Sequence, residues 1–420
     1  MKIIYLIHQF YPEFRTGTEK FVLNSAHMAQ IFGNKVKIIT YSFAEDKTFE
    51  NDHGKILSKE FMYESVPVLA FKYKQQPDDL HFALENPNLV HFAQKVLEKE
   101  SPDIIHVGHP MRVHEFIRIA YQMGIPYIIT LTDFFLLCPK FILSPDGKNL
   151  CTGPKNGSAC SLLCSEFDIE FIKTRLGHAK RILNRSAALI GPSQFIGQMY
   201  RTEVSNLNIR VINHGIKHKY LRKNTTHYSG SEHIVFGYAG TLIHHKGIEF
   251  LLRSFREIQN DNIELIIYGS GEENYVKMLK EIVDKDQRIT FYNEYSSEEI
   301  GDVFEKMDVL IIPSLWYETY CFVLHESLAS NVPVIVTNLG GLAEKVKDGF
   351  NGFTFPMGNS EALRKKINMI VEDPTILNDL KENIRKFMII PKIEQEAYEY
   401  LRLYLRIKNQ WNKNFSFSSY

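Results

Sequence analysis

The sequence predicts an α/β protein built from two doubly wound parallel sheets, and three observations carry that expectation. Short continuous apolar runs such as Val309–Ile312 and Val332–Thr337 recur along the chain, each followed by a stretch whose apolar residues have helical spacing. Such strand-and-helix units occur on both sides of a polar, period-free segment, residues 217–232, which reads as a linker. At 420 residues the chain is long enough for two or three domains with full cores.

Composition narrows the class of function. Lys plus Arg total 49 and Asp plus Glu total 49, so the formal charge is zero and a general nucleic-acid binder is not expected. The opening apolar run, Met1–Ile7, gives way at once to HQFYPEF, and the longest apolar runs are strand-sized. Neither a spanning helix nor a secretory signal is expected, and the chain reads as cytoplasmic.

In chain order, residues 2–10 are a first strand, followed by a loop containing Thr16 and Gly17 and a helix bearing Phe21, Val22, Ala26 and Met28. KVKIIT is the second strand, and residues 43–101 read as an irregular insertion before the helix LVHFAQKVLEKE. PDIIHV and IPYIITLTD are further strands, ending near His109 and Asp133, with a helix between them. Cys138, Cys151, Cys160 and Cys164 then fall within 27 residues of a turn-rich segment. A reducing compartment argues against disulfides, and four thiolates are able to close a tetrahedral zinc site, although the spacing is not a paired C-x2-C pattern. The alternative is four reduced cysteines packing a loop.

Residues 171–202 contain no Asp or Glu while Lys173, Arg175, Lys180, Arg181, Arg185 and Arg201 accumulate. This basic amphipathic stretch fits either peripheral contact with an anionic membrane or a solvated helix face. Beyond the linker, HIVFGYAG is a strand leading into a loop with Lys246 and the helix starting at Ile248. IELIIYGSGEE gives the next strand and turn, with Asn274 where a third glycine of a dinucleotide fingerprint belongs, so NAD binding is not read from it. Asp284-Lys285-Asp286 sits in a charged turn and reads as solvated surface.

The most informative stretch runs from Ile311 to Phe355. Pro313 ends a buried strand, Glu318 lies in the loop, and Glu326 follows on a helix after seven intervening residues. Asn331 and Pro333 stop that helix, VPVIVT is a strand, and Gly340-Gly341 open the next helix. Ligands of parallel sheets bind at the carboxyl ends of the strands, where Glu318 and Gly340 fall.

Pro313-Ser314, Glu318 and Glu326, followed by Pro333, Gly340-Gly341, Glu344 and the turn Asp348-Gly349-Phe350-Asn351-Gly352, resemble family 4 of the retaining glycosyltransferases. The resemblance implies the GT-B fold, two Rossmann-like domains facing across a cleft, with an acceptor-binding domain over 1–216, a nucleotide-sugar domain over 233–391, and a terminal helix, 392–420, packing back on the first. It implies transfer of a sugar from a UDP- or GDP-sugar to a glycan or lipid-linked acceptor, with no cofactor required for catalysis. Glu318, Lys246 and Asp133 then stand at the catalytic positions, while Glu326 meets the donor ribose. The amides of Cys321, Phe322 and Val323, together with Gly240, Thr241, Gly269 and Tyr292, contact the donor. Thr16 and Gly17 form the acceptor-side loop, where the family has two glycines. Thr132 replaces the family's histidine before Asp133, which makes His109 a candidate substitute. Competing expectations are a non-catalytic nucleotide-sugar-binding protein, a GT-B sugar phosphorylase, and a zinc-dependent module centred on the cysteines.

Overall fold

A computed structural model describes residues 1–147, 149–230 and 232–416. The chain divides into two compact units, the first comprising Met1–Pro145, Cys151–His214 and the residues from Ile393 on, the second Asp146–Leu150 and Gly215–Lys392.

The first unit holds a nine-stranded sheet. Its strands are β1 (Lys2–Ile7), β2 (Lys35–Tyr41), β3 (Asn51–Asp52), β4 (Ile56–Tyr63), β5 (Val66–Tyr73), β6 (Ile104–Val107), β7 (Tyr127–Thr130), β8 (Ala188–Gly191) and β9 (Ile209–Val211), in the order β3-β4-β5-β2-β1-β6-β7-β8-β9. Only the β3–β4 and β4–β5 pairs are antiparallel. The helices are α1 (Gly17–Ile31), α2 (Pro87–Glu100), α3 (His114–Gln122), α4 (Ser158–Leu163), α5 (Ile169–Asn184) and α6 (Gln194–Glu203). Residues 43–101 are thus not the irregular insertion expected: they supply a hairpin, with β5 pairing parallel to β2. The turn is made by Glu64 and Ser65, both at positive φ, in place of the Asn-Gly or Asp-Gly that marks such turns.

The second unit is a six-stranded, all-parallel sheet of β10 (Ile234–Ala239), β11 (Ile263–Tyr268), β12 (Ile289–Tyr292), β13 (Val309–Ile312), β14 (Val334–Thr337) and β15 (Gly352–Phe355). The order β12-β11-β10-β13-β14-β15 is the doubly wound arrangement, reversing direction between β10 and β13. Helices α7 (Ile248–Arg256), α8 (Glu273–Val283), α9 (Ile300–Glu305), α10 (Phe322–Ala329), α11 (Gly340–Lys345), α12 (Ser360–Glu372) and α13 (Ile376–Phe387) accompany them. Two apolar clusters, one around Phe236, Leu251 and Ile311, the other around Leu310, Leu324 and Val334, bury the sheet's strand residues. That burial on both sides explains why the strands read as continuous apolar runs.

The segment after Gly215 packs onto the second unit. Lys381 Nζ donates to Asn224 Oδ1 at 2.9 Å and to Tyr228 Oη at 3.0 Å, and Tyr228 is buried. A last helix, α14 (Ile393–Ser416), belongs to the first unit. It supplies buried polar partners there: Tyr404 Oη lies 2.6 Å from His106 Nδ1, and Thr130 Oγ1 stands 2.8 Å from both His106 Nε2 and Tyr400 Oη.

Candidate functional site

At the point where strand order reverses in the second sheet, the loops leaving β10 and β13 run side by side. Gly247, at φ 75°, lies so close to β13 that a Cβ there would come within 2.0 Å of the Pro313 carbonyl oxygen, so only glycine fits. The Leu315 amide donates to the His245 carbonyl at 2.8 Å, tying the two loops together. This brings Lys246 Nζ to 2.7 Å from Glu318 Oε1. Ser314 Oγ and Trp316 Nε1 donate to the same oxygen at 2.8 and 2.9 Å. Oε1 therefore carries three donors, while Oε2 has no partner among the described residues. The Trp316 ring also backs the cation, 5.0 Å from Lys246 Nζ.

The electrostatics follow from this packing. Burial alone pushes the Glu318 carboxyl up, but the Lys246 charge and the donors on Oε1 outweigh it and hold the group below its ordinary value. Burial likewise works against the Lys246 ammonium, yet Glu318 beside it raises Lys246 above its ordinary value. Both are charged at neutral pH. Glu318 is 5% exposed and Lys246 26%, so the cation retains a face open to a ligand.

The other residues expected on the donor side cluster in this unit. Cys321, at φ 66°, turns the chain sharply into α10, whose first residues are Phe322 and Val323. Burial pushes the Cys321 thiol up to about 12, so it is a neutral packing group. Glu326 is buried on α10, and its charge, after burial itself, contributes to raising the Tyr295 phenol. The Gly240 and Gly269 backbones approach closely, a Cβ on Gly269 meeting the Gly240 carbonyl oxygen at 2.0 Å. Thr241 accepts through its carbonyl from Tyr238 Oη at 2.9 Å, and Tyr292 stacks on Tyr268 with ring centroids 4.7 Å apart. Among the aspartates of the charged turn, Asp286 pairs with Arg288 at 2.8 Å.

In the first sheet, order reverses between β1 and β6, and their ends carry His8 and His109, whose rings lie 3.9 Å apart. The Met111 amide donates to His109 Nδ1 at 3.2 Å, so Nδ1 is an acceptor and the hydrogen sits on Nε2, which donates to Asp133 Oδ2 at 2.7 Å. Thr132 points elsewhere, its hydroxyl donating to the Gly108 carbonyl at 3.0 Å. Thr16 is the N-cap of α1 and Gly17 its first residue; the Thr16 amide donates to Glu19 at 2.7 Å, closing a capping box. His8 and Arg112 are participants that sequence reasoning missed. Burial, then His109 and Arg112, push His8 well below its ordinary value, leaving it neutral. Arg112 Nη1 donates to the His8 carbonyl at 3.0 Å, while His8 Nδ1 and Arg112 Nε are buried without hydrogen-bond partners. The signal available for His8 was its place at the end of the first strand.

In the cysteine loop, Cys138, Cys151, Cys160 and Cys164 are free thiols, and among the described residues no three His, Cys, Asp or Glu side chains are arranged to hold a metal. Burial, and for Cys160 the neighbouring cysteines, push Cys138 up to about 11 and Cys160 to about 12, as packed neutral thiols. The basic stretch is not one cationic face. Arg175 is buried with its Nε donating to the Phe82 carbonyl at 2.7 Å, and Arg201 donates to the Leu207 and Ile209 carbonyls. Among the described residues no helix is long and apolar enough to cross a membrane.

Comparison with known proteins agrees with this architecture. Residues 222–387, within the second unit, match the family described as "Glycosyl transferases group 1". The sequence is 28% identical to an uncharacterized glycosyltransferase of Methanocaldococcus jannaschii, over 35% of this chain and 39% of that protein. It thus spans less than half the length of that relative. A sucrose-phosphate synthase of Thermosynechococcus elongatus superposes with a TM-score of 0.70 over 99% of both chains at 18% identity. An Anabaena protein in complex with UDP and glucose superposes at 0.65, also over 99% of both chains, at 19% identity. The fold shared with these structures is GT-B.

Proposed function

We propose that this protein is a retaining glycosyltransferase that moves a sugar from a nucleoside diphosphate sugar to a hydroxyl acceptor in polysaccharide or glycoconjugate synthesis. The observation that carries the reading is the Lys246–Glu318 pair at the reversal point of the second sheet, with three donors on Oε1 and Oε2 left open. Oε2 accepts a hydroxyl of the donor sugar. Lys246, with a face open beside it, offsets charge on the diphosphate, helped by the amides at the start of α10. Glu326 receives the ribose hydroxyls, and the Tyr268–Tyr292 stack lies where the base is held. The bond from the anomeric carbon to the diphosphate oxygen breaks, the acceptor oxygen bonds to the same face, and its proton passes to the departing phosphate. Asp133, held by His109, and the Thr16–Gly17 turn are assigned to the acceptor.

Support for a nucleotide donor comes from the match of residues 222–387 and from the Anabaena relative's complex with UDP and glucose. A panel of UDP-, GDP- and ADP-sugars, read by thermal shift and by release of nucleoside diphosphate, tests the proposal. One donor class is expected to stabilise the protein and to be turned over, with Glu318→Gln retaining binding but losing turnover. Failure of every nucleotide sugar to bind would reject it.

A further inference from the structure

A partly open pocket of about 80 Å³ lies in the first unit between α3 and α5, sharing no residue with the donor and acceptor sites. Its walls are two helical stripes with identical spacing. His114, Ile117, Arg118 and Tyr121 line it from α3; His178, Arg181, Ile182 and Arg185 line it from α5. Positions i, i+3, i+4 and i+7 share one helix face, so each stripe turns three basic or aromatic groups and an aliphatic one toward the same space.

The polar groups there are conspicuously underused. His114 is 4% exposed, and neither of its ring nitrogens has a hydrogen-bond partner. Among the described residues no side-chain hydrogen bond or ion pair engages the Arg181 guanidinium, and Arg185 lies 4.4 Å over the Tyr121 ring. Arg118 gives its Nε to Glu115 at 2.6 Å, leaving its two terminal nitrogens. Glu115 is consumed locally, since it also accepts from the Asn86 amide at 2.7 Å. The one acidic residue lining the pocket, Glu85, is 57% exposed and stands 3.4 Å from His178. Three guanidinium groups therefore face a space whose own carboxylate lies toward solvent. Leu84, Ile117 and Ile182 add an apolar wall.

We propose that this pocket binds the phosphate group of an organic phosphate ester, with Arg118, Arg181 and Arg185 holding its oxygens at the mouth and His114 donating from the floor. Planar guanidinium forks match tetrahedral oxyanions with paired hydrogen bonds, and the aliphatic wall accommodates the organic remainder. Burial, then the His178, Arg175 and Arg118 charges, lower His114 to about 3, so it offers one N–H and one acceptor and no charge. The phosphate comes either from a soluble ester or from an anionic lipid headgroup at a membrane surface.

The test compares wild type with Arg181→Gln/Arg185→Gln and, as a control for bulk charge, Lys173→Gln/Lys180→Gln, which removes two cations of α5 outside the pocket. One arm titrates glycerol phosphate by calorimetry; the other measures sedimentation with phosphatidylcholine vesicles containing or lacking phosphatidic acid. The arginine pair is expected to lose about a hundredfold in affinity in whichever arm binds, with the lysine pair changed by no more than about threefold. Vesicle binding with that pattern identifies the headgroup as source, and binding of glycerol phosphate alone identifies a soluble ester. Absence of binding in both arms, or equal losses in the two double variants, overturns the proposal.

Discussion

The two sheets reverse their strand order at corresponding places, and the two reversal points are built on opposite electrostatic plans. In the second unit the loops bring together opposite charges, Lys246 and Glu318, and satisfy them with Ser314 and Trp316. In the first they bring together His8, His109 and Arg112, keep His8 neutral by burial, and leave His8 Nδ1 and Arg112 Nε unmatched. A finished ion pair holds a defined geometry before any ligand arrives. Unmatched buried donors and acceptors are costly on their own, about 1–3 kcal/mol each, and are relieved when a partner supplies the missing hydrogen bonds. The second cluster is thus preorganised, whereas the first keeps unmatched polar groups.

The largest test of that contrast is Lys246→Ala. It leaves Glu318 buried without its cation, so we expect a loss of about 3 kcal/mol in urea unfolding together with a roughly 10²–10³-fold fall in transfer rate. Adding Glu318→Gln should restore most of the stability and none of the rate; a double variant as unstable as the single one would mean the pair is not preorganised as described.

Acid exposure sharpens the comparison. His106 and His114 in the first unit are lowered by burial to about 3, and His8 well below its ordinary value, whereas His245 in the second is lowered to about 4. A histidine whose folded value lies below 6.5 stabilises the fold fully above that pH, because only the unfolded chain takes up the proton as pH falls. Each such group costs up to about 1.4 kcal/mol per pH unit between 6.5 and its folded value. Hydrogen exchange between pH 7 and 4.5 should therefore show β1 and β6 losing protection before β10 and β13; the reverse order would contradict the burial argument.

The smallest effect is expected from Thr132→Ala. That hydroxyl donates to the Gly108 carbonyl, so removal should cost about 1 kcal/mol of stability and less than about threefold in rate. A larger loss of rate would give Thr132 a part in the reaction.

The second unit was largely legible because its strands are buried on both sides and read as apolar runs punctuated by Pro313, Pro333 and glycines. The β4–β5 hairpin was not. β4 is only partly buried and carries Lys59, Glu60 and Met62, β5 mixes a buried run with Pro67 and Lys72, and the turn uses Glu64 and Ser65 where a turn signal needs Asn or Gly. Within the site, Glu318 and Lys246 were found through motif positions, but their contact was not, since it depends on Gly247 admitting the Pro313 carbonyl. Ser314 and Trp316 stood in the same stretch without a role, because convergence on one oxygen is a property of loop shape. The basic run was legible only in part for a related reason: periodicity locates a helix face but does not say that Arg175 serves buried carbonyls.

The final helix has a consequence for biogenesis. His106 and Thr130 sit on strands made before the second unit, yet their hydrogen-bond partners Tyr400 and Tyr404 are made after it. A nascent first unit waits with a polar gap in its interior while the second, whose elements run uninterrupted from β10 to α13, is able to mature first. The unit whose strands are made before the other is the unit that is completed after it.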